Sequence, residues 1–315
     1  MKRFSITAAA AEPFRLAGGR PLSVLVWGLV LLAPSLVVLG AMIPFIGEMA
    51  ASGAFDPESL AADADAGPFA GDMATAMEFH LWSNLAQLLG FLTLVLATTA
   101  IARAVYAGPR GDRALFLRLG MTEFQVAVVG LAVGIGFFIV AMLVSLLAVG
   151  IGFAVWQLGD PLRWPLCVAL GIAAFIGLVL LWGRLSLLAP ACVRYRSFAF
   201  EEGWRLGRGQ TRRLFGLWLF LILIGIVFWL GFLIVLGIIL LTLAGGVELS
   251  DPDAIEAAFE TLAMRPAMLA AIAAVLVIPL AWLQGLWQTL FTAPFAHVVQ
   301  ALASEAPAAV AEEFH

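Results

Sequence analysis

The chain has 315 residues, of which 63% are hydrophobic and 12% charged, and its mean hydropathy is +1.04; an ordinary soluble domain is about 45–50% apolar and about 25% charged. The long polar stretches that soluble domains use as surface are missing, so the composition excludes an ordinary soluble protein and implies an integral membrane protein. The net charge is -4, no nucleic-acid partner is expected, and the placement of charge along the chain carries more information than its total.

Residues 1–21 read as a basic cytoplasmic segment carrying Lys2, Arg3, Arg15 and Arg20. A span needs about 20 mainly apolar residues to cross the hydrocarbon core, and six stretches meet that length: 22–46, 81–106, 124–156, 165–193, 214–245 and 268–291. The first is about twice as long as a signal-peptide core and no small-residue cleavage site follows it, so it reads as a retained span. The membrane domain thus covers 22–300, with outer loops at 47–80, 157–164 and 246–267 and a cytoplasmic tail at 301–315.

Assigned to alternate sides, 15 of the 17 basic residues fall on one face and only Arg163 and Arg265 on the other. The positive-inside rule then places both termini in the cytoplasm. Asp56-Pro57, Asp160-Pro161 and Asp251-Pro252 mark the three outer loops. Asp at N-cap and Pro at N1 start a helix, because the first turn has no use for the missing N–H. The first and last of these pairs lead into Ala-rich acidic segments that predict short surface helices. Arg118-Leu119-Gly120 and Arg205-Leu206-Gly207 add an inner echo. Together these signals read as three related helical hairpins. The expected fold is an all-α polytopic bundle of about six transmembrane helices.

Chemistry inside the spans is sparse. No Asp, Glu or Lys lies well inside a span, which argues against a proton- or ion-driven carrier. Ser83, Asn84 and Gln87 in the second span and Gln284 and Gln288 beneath Pro279 in the sixth are polar. They read first as interhelical hydrogen-bonding groups, and alternatively as a polar pathway at Gln87, Gln284 and Gln288 in a transporter or channel subunit. Gly130 and Gly134 form a G-x-x-x-G match on the third span, read as close helix packing. Cys167 and Cys192 would be about 37 Å apart on one helix, too far for a disulfide, and read as buried thiols. His80, His297 and His315 show no metal-ligand spacing, and Glu78, His80 and Asp72 read as an acidic loop meeting a span. No Walker A match occurs. No catalytic, cofactor-binding or metal-binding residue is assigned, no cofactor is expected, and an enzyme is the least supported class.

The most informative segment is 194–213 with the end of the fourth span before it. Pro190 should end the span at the interface, and Arg184 can snorkel toward the inner surface. Ser197 can cap a short helix with Glu201 and Glu202 in its first turn. Glu201 and Arg205 stand at i,i+4 with Arg208 and Arg212 continuing that face, while Phe200 and Trp204 lie on an apolar side. This predicts an amphipathic helix at the membrane surface.

Arg184-Leu185-Ser186-Leu187, Pro190, Trp204-Arg205-Leu206, Gly209 and Arg213-Leu214-Phe215 resemble the pattern in glycerophosphoryl diester phosphodiesterase membrane-domain proteins and their multi-span inner-membrane relatives. The likeness covers roughly residues 182–220. It implies a membrane architecture and carries over no catalytic residue, since the phosphodiesterase chemistry of those relatives belongs to a separate soluble domain that has no counterpart here. The plain account of the Arg cluster is a positive-inside loop on generic anionic lipid. The sharper one is that Arg184, Arg194, Trp204, Arg205 and Arg208 contact a phosphate head group, for which guanidinium geometry is suited. The partners expected are membrane lipids, anionic phospholipid above all, with a second copy or another membrane protein left open. The functional expectation is a non-enzymatic membrane protein that interacts with phospholipid or supports envelope assembly.

Overall fold

The structure is a computed structural model that describes residues 4–51, 73–108, 115–157, 159–243 and 266–303. Nine helices and no strand lie among the described residues: α1 Ile6–Gly19, α2 Pro21–Ala51, α3 Met73–Ala107, α4 Met121–Trp156, α5 Asp160–Leu185, α6 Leu188–Tyr195, α7 Phe200–Leu206, α8 Thr211–Leu243 and α9 Pro266–Ala303. Six segments are long and apolar enough to cross a membrane, the fourth running through α5 and α6 together. The protein is an all-α polytopic bundle. The outer-loop signals at Asp56-Pro57 and Asp251-Pro252 lie outside the described residues.

The boundaries follow from local chemistry, with two corrections. The residue capping α5 is Gly159 rather than Asp160, with Pro161 in the first turn and the Gly159 carbonyl accepting from the Leu162 and Arg163 amides. The helix break expected at Pro190 falls at Ser186 and Leu187, four and three residues ahead of it. Proline cannot donate to the carbonyl four residues back, so the ladder breaks at Ser186 and Pro190 occupies the first turn of α6, where no donor is needed. Ser186 Oγ returns to the Trp182 carbonyl at 2.8 Å. Both cysteines are free thiols, Cys192 buried and Cys167 partly so.

The buried core gathers at one end of the bundle. It takes the start of α2 (Val24, Trp27), the end of α3 (Ala97 to Val105), the start of α4 (Val126, Val129), α6, the start of α8 (Leu214, Leu217, Leu221) and the end of α9 (Leu286 to Ala303). This end also carries α1 and the arginines of α6, α7 and the start of α8, so we call it the basic face. By contrast, no described side chain from 130 to 182 is buried. In a soluble protein that much exposed Leu, Ile and Phe would be prohibitive; against lipid tails it has no hydrophobic cost. At the far end of this hairpin the Arg163 guanidinium lies 4.1 Å from the Trp156 ring and 5.6 Å from that of Trp164, an amphipathic cluster of the kind found at a membrane–water boundary.

Helices α2, α3 and α9 pack as a triple, and α4, α5 and α8 form a row joined to it through α1, α6 and the end of α9. The crossing of α2 and α9 is very close. A Cβ built on Gly28 would stand 1.6 Å from the Ala281 carbonyl oxygen, and one on Gly285 would stand 2.0 Å from that of Val24. By contrast, Gly130 and Gly134 have nothing within 4 Å of a built Cβ. The close packing expected at the G-x-x-x-G match is therefore absent there and falls instead on Gly28 and Gly285. Aromatic rings span the wider gap between α8 and α9: Trp218 lies 5.8 Å from Phe291 and 5.4 Å from Phe295, and Trp287 lies 6.1 Å from Phe228.

The N-terminal segment is itself a helix. Ser5 caps α1 by accepting from the Ala8 amide, and α1 buries Ala9, Ala10, Glu12, Pro13, Leu16 and Ala17 against its neighbours. Phe4 is buried beside it, and its carbonyl accepts from Arg213 at 2.8 Å. The α3–α4 connection is drawn inward by three side chains. Trp27 donates to the Leu115 carbonyl at 2.9 Å, Arg103 donates to that of Phe116 at 3.3 Å, and Arg20 covers the Phe116 ring at 4.8 Å. Leu115 and Phe116 both take left-handed backbone conformations, which non-glycine residues keep only when their surroundings hold them.

Candidate functional site

The sequence-predicted head-group residues occupy the basic face, on the end of α5 and on α6, α7 and the turn into α8. Helix α7 is held by its one buried residue, Gly203, where a Cβ would come 2.7 Å from Leu188 Cδ2 of α6. That close approach leaves Phe200 and Trp204 about two-fifths exposed, together with Phe198 on the preceding loop. Two local expectations are corrected. The N-cap of α7 is Ala199, without a side-chain cap bond, so Ser197 does not cap it. Helix α7 ends at Leu206, so Arg208 sits in the turn and Arg212 on α8 rather than on a continued face.

Arg184 and Trp204 are brought together. The Arg184 guanidinium stands 5.0 Å from the Trp204 ring, and its Nε donates to Thr211 Oγ1 at 3.1 Å. Arg184 is therefore a brace linking α5, α7 and α8, with only part of its surface open. Arg194, at the end of α6, is exposed and 5.8 Å from the Tyr106 ring, whose hydroxyl donates to the Pro190 carbonyl at 2.9 Å. Arg205 and Arg208 are exposed. Arg196, with a left-handed backbone, closes α6 through its amide on the Cys192 carbonyl. The face thus presents exposed arginines at Arg194, Arg196, Arg205, Arg208 and Arg212, with three open aromatic rings at Phe198, Phe200 and Trp204.

The polar residues of the spans do not converge. Gln288 Nε2 donates to Thr98 Oγ1 at 3.2 Å and Thr292 Oγ1 at 3.1 Å, tying α9 to α3. Gln87 and Gln284 are exposed on the surface of their helices. His80 is exposed, and Asp72 lies outside the described residues. Among the described residues, no three His, Cys, Asp or Glu side chains cluster as metal ligands would.

Two charged clusters escaped the sequence reading. Arg103, near the end of α3, pairs at 2.5 Å with Glu123, whose side chain is 6% exposed in the first turn of α4. Glu12, 3% exposed on α1, holds Arg15 at 2.6 Å through one oxygen and approaches His297 Nδ1 of α9 at 3.6 Å through the other. Burial pushes the Glu12 carboxyl up, but hydrogen bonds and charge from His297 and Arg15 outweigh it and hold the group below its ordinary value of 4.5. The signal for the second cluster was Ser5 ahead of the Ala-rich run, a helix start that brings Glu12 and Arg15 to i,i+3.

Comparison with family models, with curated proteins and with solved structures gives no match.

Proposed function

We propose that this is a non-enzymatic protein of a bacterial inner membrane, its termini and basic face in the cytoplasm, which holds anionic phospholipid at the surface formed by α6 and α7. One observation carries the reading: Arg194, Arg205 and Arg208 stand exposed beside Phe198, Phe200 and Trp204. Guanidiniums suit phosphate, and aromatic rings suit the head-group depth. The Arg184 brace on Trp204 and Thr211 supports it by giving the aromatic edge a fixed place. The resemblance of residues 182–220 to glycerophosphoryl diester phosphodiesterase membrane-domain proteins belongs to this proposal. A role in envelope assembly is a further form of it. The engaged Gln288 and the separate, exposed Gln87 and Gln284 weigh toward lipid contact and away from a polar pathway.

The test uses the protein in nanodiscs with brominated lipid, comparing wild type with Trp204→Phe to isolate the fluorescence of Trp204. Stronger quenching by brominated phosphatidylglycerol than by brominated phosphatidylcholine, lost in Arg205→Gln/Arg208→Gln, is the expected result. Equal quenching by both lipids contradicts the proposal.

A further inference from the structure

A separate cavity opens where the end of α1 meets the end of α3. Its volume is about 510 Å³, and its walls include Glu12, Arg15, Leu16, Arg20, Ala104 and Gly108. Small-ligand sites commonly span about 300–1,000 Å³. Two guanidiniums and one carboxylate line it. Arg20 is built into the wall: Nη1 donates to the Ala104 carbonyl at 3.3 Å and Nη2 to that of Gly108. Arg15 is placed differently. Its side chain is 70% exposed, and one terminal nitrogen is held at 2.6 Å by Glu12, which is buried and backed by His297. A guanidinium carries five N–H donors in a planar fork, so Arg15 keeps donors for a ligand while Glu12 ties it to the cavity.

We propose that this cavity is an anion site for a phosphate group, with Arg15 as the contacting side chain and Arg20 as a fixed part of the wall. Forked donors match phosphate oxygens, and the apolar floor at Leu16 and Ala104 accepts the carbon attached to a phosphate ester. The ligand is a phosphate-bearing anion, either a lipid head group entering from the membrane surface or a free phosphate compound. The site goes beyond the lipid reading above: it lies on α1 and α3 and needs neither Arg205 nor Arg208.

The test has two arms, both on the full chain. In detergent micelles, inorganic phosphate is titrated against thermal unfolding at constant ionic strength. In nanodiscs, phosphatidylglycerol bound to the protein is counted against a phosphatidylcholine background. Arg15 is mostly exposed, so Arg15→Gln should leave the fold intact, which circular dichroism checks. The expected result is a binding response in at least one arm that weakens about tenfold or more in Arg15→Gln, returns in part in Arg15→Lys, and persists in Arg205→Gln/Arg208→Gln. A response in micelles identifies free phosphate chemistry; one confined to nanodiscs identifies a lipid head group. No response by wild type in either arm, or equal responses by wild type and Arg15→Gln, overturns the proposal. A response lost only in Arg205→Gln/Arg208→Gln also overturns it, while leaving the α6–α7 reading standing.

Discussion

Gly28 of α2 and Gly285 of α9 stand where the two helices cross, and a Cβ on either would overlap a carbonyl oxygen of the partner helix, Ala281 at 1.6 Å or Val24 at 2.0 Å. Without a hydrophobic force between helices in lipid, such backbone contact is a main source of attraction. Overpacking costs about 1–3 kcal/mol when side chains can give way, and here the obstacle is backbone. Gly28→Val and Gly285→Val should therefore each lose at least that much stability. Gly130→Ala and Gly134→Ala, with open space around them, should be near neutral. Thermal unfolding in detergent separates the two pairs.

The Arg103–Glu123 pair closes the turn from α3 to α4 and should behave as a unit. Breaking a buried ion pair costs about 3–5 kcal/mol because one charge is left behind. Arg103 keeps some solvent exposure and the Phe116 carbonyl, so Glu123→Gln should cost about 3 kcal/mol, at the lower end of that range. Arg103→Met/Glu123→Leu should lose less than the sum of the single changes, read from a double-variant cycle of unfolding midpoints.

The Glu12 cluster gives a pH dependence with a defined sign. Its folded carboxyl titrates below the ordinary 4.5, so the stabilisation it supplies is fully present above 4.5 and is lost as pH falls through the lowered folded value. Detergent-solubilised protein should therefore lose stability on acidification below about 4.5, by detachment of α1 from α9. Glu12→Gln should flatten that limb of the profile. Amide exchange over residues 6–19 measured against pH checks both the window and the helix.

Within the spans, Gln288→Leu removes two hydrogen bonds, one of them between helices. Interhelical polar contacts in membranes average about 0.6 kcal/mol, so the loss should be modest. Gln284→Leu, at an exposed position, should be neutral. Any solute flux through the protein in liposomes should be unaffected by both changes.

The six spans were legible because apolar length is the dominant signal in a membrane protein: α4 ends at Trp156 as expected, and α3 runs one residue beyond the expected Tyr106. Helix α1 was hidden because its 14 residues are too short to span and its charges read as a topology signal. The Gly28–Gly285 contact was hidden because, among 31 glycines, spacing alone does not reveal which face meets another helix. The amphipathic α7 was foreseen in position but not in its anchor, Gly203, or its cap, Ala199. Those depend on how α6 packs beneath it, which the local sequence does not contain. Glu12 meets His297 of α9 and Glu123 meets Arg103 across the α3–α4 connection, so these partners appeared only with the fold, whereas Glu12 and Arg15 are local at i,i+3.

Binding of anionic lipid by the exposed arginines of the basic face is what would distinguish a head-group site from an orientation signal. The most direct measurement is native mass spectrometry of the protein gently extracted from its own membrane, with retained lipids identified after dissociation. Anionic phospholipid should be enriched over its share of the bulk membrane, and that enrichment should fall about tenfold in Arg205→Gln/Arg208→Gln. Bare protein, or lipid retained in bulk proportions by both proteins, would contradict such binding and leave the arginines as an orientation signal alone.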